Sequence, residues 1–311
     1  MKALSQHLTD YLTLRRQLGF KFYVEGSFLH SFVRFASQQK ARFVSARLAL
    51  QWSTLPVGIT QKHRAVRLGV VRGFARYLKL FDRRTEVPSA KMLPARTCRP
   101  SPFLYTEKQV DQLIYSAHQI DPRYKIKGLT LGTLLGLLAT TGMRVSEALA
   151  LDRDDVDVAG ALLTIRWAKG NKSRLVPLHA STIQALGRYA CARDKIYPRS
   201  TTPGFFVWVE GRRLRYQVAW EWFRVAACDA GLRALGGGRG SPRIHDLRHY
   251  FAVRTLLNWY RSDADVDVHL PELTTFLGHA HVTDTYWYIS AVPELLALAT
   301  HRWERAEKGR K

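Results

Sequence analysis

The stretch LGHAHVTDTYWYI, residues 277–289, holds two histidines one residue apart and two tyrosines flanking a tryptophan. A tyrosine hydroxyl becomes a covalent nucleophile when a neighbouring group takes its proton, and histidine titrates near neutral pH. On a helix, residues at i and i+2 project about 200° apart, so Tyr286 and Tyr288 cannot both face one reacting centre. Periodicity does not choose between them.

Three other stretches carry groups that suit a phosphodiester. In TGMRVSEAL, Arg144 follows a Gly turn at the mouth of a helix, with Glu147 three residues on and on the same face. In AKGNKSRLVPL, a two-residue Gly170-Asn171 turn would set Lys169 opposite Lys172, with Arg174 close by. Like charges across strands repel, so an anion beside them would make that pairing favourable. In PRIHDLRHYFAVRTLL, His245, Arg248 and His249 fall within one helical turn. A metal on His245 and His249, with His279 or His281, fits poorly, because Arg248 brings a fixed positive charge and no acidic base follows as in HExxH. DADVDVHLPE (263–272) is an equally poor calcium loop: it lacks Gly at the sixth position and its Glu comes too early. Two arginines and a lysine can instead hold the charge that grows on phosphate oxygens, and a histidine can move protons beside a tyrosine nucleophile. That chemistry requires neither metal nor cofactor.

These groups need a scaffold and a polyanion to act on. The 311 residues carry a net charge of +23, which favours nucleic acid as partner. Residues 1–100 hold 19 Lys/Arg against 4 Asp/Glu, so the first third is almost purely cationic. Three scattered cysteines suit a reducing cytosol better than a disulfide framework. The N-terminal residues lack the apolar core of a signal peptide, and the longest apolar stretch, Leu129 to Met143, is too short to span a bilayer.

Helical spacing of apolar residues predicts four short helices over residues 1–82, the last of which interleaves Arg64, Arg67, Arg72 and Arg76 with its apolar positions. Those arginines are candidate DNA contacts, as are Lys172 and Arg174. Residues 83–102 contain four prolines and no period, which predicts a basic linker. A second domain, 103–311, restarts at a Thr106/Gln109 capping box and runs through a core helix stopped by Gly142. Alternation of Leu163, Ile165 and Trp167 then predicts a small β-hairpin before the helical pattern returns. The fold class expected is therefore mainly α with a small β element. There is no Walker-type loop, and the glycines of LGGGRGSP (235–242) fit a connector.

Taken in order, Arg144 in TGMRVSE, Lys169 in AKGNKSRLVPL, His245 and Arg248 in HDLRH, His279 in LGH and a following tyrosine resemble the tyrosine recombinases of the phage-integrase type. The longer gap between HDLRH and LGH is more like the transposon-borne members. The resemblance spans residues 105–290. It implies a helical core-binding domain followed by a mixed α/β catalytic domain, and it selects Tyr288, nine residues past His279, as nucleophile. It further implies that Arg144 and Arg248 bind the non-bridging oxygens, Lys169 protonates the 5′-oxygen, His245 transfers a proton, His279 hydrogen-bonds the phosphate and Glu147 orients Arg144. Double-stranded DNA with specific sites is the implied partner, bound by a homo-tetramer, alone or with related recombinases, in the cytoplasm of a bacterium and encoded by a phage or mobile element. A type IB topoisomerase and a catalytically inactive DNA-binding accessory protein are the alternatives. The C-terminal stripe of Val292, Leu295, Leu296, Ala299 and Trp303 needs a docking surface, which the resemblance places on a neighbouring subunit.

Overall fold

The computed structural model describes residues 3–94, 102–166, 173–200, 202–232, 240–262, 264–279 and 281–308. The chain divides into two compact units, Met1–Pro100 and Ser101–Lys311.

The first unit is a bundle of four helices, α1 (Leu4–Gln17), α2 (Tyr23–Gln38), α3 (Ala46–Thr54) and α4 (Gln61–Leu78). Ser45 and Thr60 cap α3 and α4 by accepting from Leu48 N and His63 N, which satisfies donors that the first turn leaves orphaned. Leu8, Phe32, Trp52 and Phe74 fill the core. The expected linker behaves differently from a linker over its first half. Val87, Met92 and Leu93 pack against this core, Glu86 accepts from Ala46 N at 2.8 Å, and Glu86 N donates to Val44 O at 2.8 Å. The segment 83–94 is thus a strap on the first unit. Its anchors are spaced without a helical or strand period, so pattern reading misses them.

Two of the four arginines of α4 named as DNA contacts serve the bundle instead. Arg67 is buried with its guanidinium 3.7 Å from the Trp52 ring centre and donates to Trp52 O at 3.1 Å. Arg72 donates to Pro88 O at 2.8 Å and to Ser89 O at 3.2 Å, tying down the strap. Arg76 is exposed and Arg64 half-buried, so solvent-facing charge remains on this helix.

The second unit opens with α5 (Glu107–Gln119), which carries the Thr106/Gln109 capping box, and α6 (Lys125–Thr141), buried on nearly all sides. A short α7 (Val145–Ala150) leads into an antiparallel sheet of β1 (Val156–Asp157), β2 (Leu162–Ile165) and β3 (Arg174–Pro177), in that order. Ile165 stands opposite Arg174, whereas a two-residue Gly170-Asn171 turn would put Ile165 opposite Val176. The pairing of Lys169 with Lys172 expected from that turn does not follow from this register, and both lysines lie outside the described residues. A shift of two keeps every side chain on its face. Leu163, Ile165 and Val176 therefore still point into the core, and Arg174 points the same way.

Helices α8 (Ala180–Ile196) and α9 (Tyr216–Asp229) complete that core. The chain ends in α10 (Asp246–Arg261), α11 (Val266–Leu277), α12 (Thr283–Ala291) and α13 (Pro293–Lys308), packed around Leu256, Leu270, Leu277, Tyr288, Val292 and Leu295. The faint calcium loop is the start of α11, where Asp265 is the N-cap, accepting from Asp267 N and Val268 N. Val292, just before the terminal helix, and Leu295 within it are buried in their own chain, while Leu296 and Trp303 stay exposed. No described helix is long and apolar enough to cross a membrane.

Candidate active site

Four chain segments converge in the second unit. The first is the break between α6 and α7. Gly142 ends α6 in the left-handed region at φ 59°, where a Cβ would lie 2.5 Å from the Phe251 ring, so only glycine fits. The sharp turn places Arg144 at the start of α7, with its N–H donating to Glu147 Oε2 at 3.0 Å and its Nη1 to Glu147 Oε1 at 2.7 Å.

Glu147 is shared. Arg174 of β3 donates from Nη2 to Glu147 Oε2 at 2.7 Å and from Nη1 to Oε1 at 3.2 Å. Burial by itself would raise the Glu147 pKa, but the hydrogen bonds and charges of Arg174 and then Arg144 outweigh it and hold the carboxyl below its usual range. The sequence pointed to Arg174 as a DNA contact; its guanidinium is instead committed to Glu147 and to Phe276 O, the latter at 3.1 Å. Parity explains the difference, since Arg174 shares the inward face of Val176.

The second and third segments are α10 and the α11–α12 turn. Asp246, fully buried, accepts from Arg243 N at 2.8 Å and fixes the start of α10. Arg248, two residues on and 3% exposed, donates from Nη1 to Gly142 O at 2.9 Å. Its Nη2 is buried without a hydrogen-bond partner among the described residues. Burial, then the nearby charge of Arg144, pushes the Arg248 pKa down to about 10. Gly278 ends α11 at φ 67°, and Arg144 Nη2 donates to its carbonyl at 2.8 Å. His279 follows, its Nδ1 2.8 Å from Thr285 Oγ1, which lies 2.9 Å from Thr274 Oγ1. This threonine pair orients the imidazole; single-residue reading of the sequence had no signal for it.

The fourth segment, α12, decides between the tyrosines as the 200° rule requires that one face must win. Tyr288 is 1% exposed and Tyr286 is 47% exposed. The Tyr288 hydroxyl lies 2.9 Å from His249 Nδ1, and its ring stacks with that of His279 at 6.5 Å between centres. His245 stands one turn before His249, with ring centres 5.2 Å apart. More than a third of the His245 surface is open to solvent, yet the protein packed round the ring, then the charge of Arg248, holds its pKa below the ordinary imidazole value. His245 is therefore neutral at neutral pH.

The structure thus brings Arg144, Glu147, His245, Arg248, His279 and Tyr288 into one region, while Lys169 lies outside the described residues. A buried guanidinium with a spare donor, a second, half-buried guanidinium, neutral imidazole and a tyrosine hydroxyl on a histidine are the parts needed to hold a phosphate and attack it.

The fold and this constellation define a class. Residues 104–294 match the phage integrase family, and the chain belongs to that family, the tyrosine site-specific recombinases. It is 38% identical over 309 residues to the integrase/recombinase y4rB of Sinorhizobium fredii, covering 98% of each chain. The tyrosine recombinase XerD of Brucella abortus is 31% identical over 245 residues, covering 77% of this chain and 75% of its own. The solved structure of the Tn1549 transposon integrase in complex with transposon right end DNA has a similar fold, with a TM-score of 0.67 at 14% identity over 98% of this chain and 99% of that one.

Proposed function

We propose that this chain cuts and rejoins double-stranded DNA at specific sites through a 3′-phosphotyrosyl intermediate on Tyr288, in the integration, excision or transposition of a mobile element. The observation that carries the reading is the Arg248 Nη2 donor, buried and unpartnered among the described residues, one residue before the histidine that holds the Tyr288 hydroxyl. A buried cation with an unused donor is costly unless an anion completes it. A phosphodiester does so.

In the reaction, Tyr288 Oη bonds to phosphorus as the bond to the 5′-oxygen breaks. Arg144 and Arg248 hold the non-bridging oxygens as their charge grows, and His279, set by Thr285, donates to the phosphate. Lys169 protonates the departing 5′-oxygen. His245, neutral at rest, shares in proton transfer. The phosphotyrosyl ester conserves the energy of the broken bond, so a 5′-hydroxyl from another strand can reverse the step without nucleotide hydrolysis. Exchange between two duplexes cuts four strands, and each chain offers one tyrosine, which requires four copies on paired sites. The net charge of +23 supplies non-specific DNA attraction, Arg64, Arg76 and Lys172 are its candidate phosphate contacts, and the cytoplasm is where such DNA is met. The family's bacterial relatives support that setting.

Tyr288 is 1% exposed and shares a packed cluster with Val292, the residue between α12 and α13, and with Leu295 of α13, so DNA engagement must loosen this packing to uncover the hydroxyl. The test is to incubate the protein in EDTA with fragments of a host genome and its mobile elements, denature, and sequence the DNA ends retained covalently. Recurrent ends sharing one motif support a site-specific recombinase. Scattered ends with no shared motif point to a topoisomerase, and no retained DNA points to an inactive accessory protein.

A further inference from the structure

We propose that His249 is the group that takes the Tyr288 proton during strand cleavage, an assignment that rests on the recombinase reading above. His249 Nδ1 lies 2.9 Å from Tyr288 Oη, within the reach required of a general base, and both side chains are buried. This contact places an imidazole nitrogen directly on that hydroxyl. His279 turns its Nδ1 to Thr285 Oγ1. His245 meets the edge of the His249 ring at 5.2 Å, one helical turn further from the tyrosine. Trp287 closes another side of the His249 ring, at 5.8 Å between centres. The ring is thereby held with one nitrogen on the nucleophile.

For Nδ1 to accept, the neutral ring carries its proton on Nε2. As Oη bonds to phosphorus, its proton passes to Nδ1, the bond to the 5′-oxygen breaks, and that oxygen takes a proton from Lys169. On rejoining, the imidazolium returns its proton to Oη. A third positive charge beside Arg248 and Arg144 is disfavoured while no anion is bound. The phosphodiester brings one negative charge and the transition state adds more, which offsets the positive charge that proton transfer to His249 creates. This ties deprotonation of the tyrosine to the presence of its target.

The test uses the full chain and a nicked duplex carrying the end sequence recovered by covalent trapping. His249→Asn and His249→Ala slow adduct formation by about 100-fold, the scale of a lost general base, while DNA affinity by gel shift is kept. Placing 3,5-difluorotyrosine at position 288, whose phenol releases its proton more readily, recovers a large part of that loss in both variants. Adduct formation at the native rate or faster in the variants overturns the proposal. So does a loss that the fluorinated tyrosine leaves unchanged, which marks His249 as packing alone. If the native protein forms no adduct, the recombinase reading has failed and takes this assignment with it.

Discussion

Glu147 of α7 and Arg174 of β3 meet at 2.7 Å although 27 residues separate them in the chain. The same carboxylate holds Arg144 at 2.7 Å, and the two guanidinium groups reach on to Phe276 O and Gly278 O beside His279. One buried carboxylate therefore fixes Arg144, the strand that leaves the Lys169 segment and the His279 turn against one another. Removing it as Glu147→Ala leaves two half-buried cations, Arg144 and Arg174, without their shared counter-charge. The expected cost is about 3 kcal/mol, read as a lower urea midpoint, with DNA cleavage lost. A midpoint within experimental scatter of the native protein would refute the clamp.

The clamp has a pH signature. Glu147 binds its proton more weakly folded than unfolded. Its contribution is complete above the unfolded carboxyl value of about 4.3 and disappears as pH falls through the lower folded value. Stability of the native protein should fall across that acidic window. Glu147→Gln should show a shallower slope there, and equal slopes in a pH series of urea melts would count against the pairing.

Arg248 is set against stability. Burial and Arg144 push its pKa down to about 10 from the ordinary guanidinium value, so the fold keeps its charge at a loss. Arg248→Met gives up the hydrogen bond to Gly142 O but relieves the buried charge. The net gain expected is about 1–2 kcal/mol, seen as a higher thermal midpoint in a protein that no longer cleaves DNA. A lower midpoint would mean that the guanidinium holds the fold together more than it waits for phosphate.

The tail reads partly against the sequence. Docking on a neighbour was expected, yet Val292 and Leu295 pack in the cluster of Tyr288 within one chain, and Leu296 and Trp303 are left outside. Cutting after Ala291 should thus destabilise the C-terminal helices as well as impair assembly. Leu296→Lys with Trp303→Lys should leave the thermal midpoint almost unchanged, since exposed substitutions stay within about 0.5 kcal/mol each. The same pair should weaken joining of two DNA sites, measured by size on paired duplexes. Unimpaired joining would confine α13 to its own chain.

Where one element supplied both pattern and chemistry, the sequence was legible. The helices of the first unit follow their apolar period, Gly142 stops α6, and the 200° offset between Tyr286 and Tyr288 becomes one exposed and one buried ring. What it hid depends on contacts between distant segments. His249 was visible as a neighbour of Arg248, but only the packing of α12 on α10 shows that it meets Tyr288. Arg174 carried a parity signal, its alternation with Val176, that charge-based reading overlooked. Arg67 and Arg72 look like surface cations in a basic helix until Trp52 and the strap of Pro88 and Ser89 are placed beside them.

The central claim is that Tyr288 is the nucleophile. It is tested most directly by trapping the full chain on a nicked duplex bearing the recovered end sequence, digesting both components and locating the nucleotide-bearing peptide by mass spectrometry. A 3′-phosphate ester on Tyr288 is expected, formed by the native protein and by Tyr286→Phe and absent in Tyr288→Phe. An ester on Tyr286, or a linkage to the 5′ end of the cut strand, would contradict it.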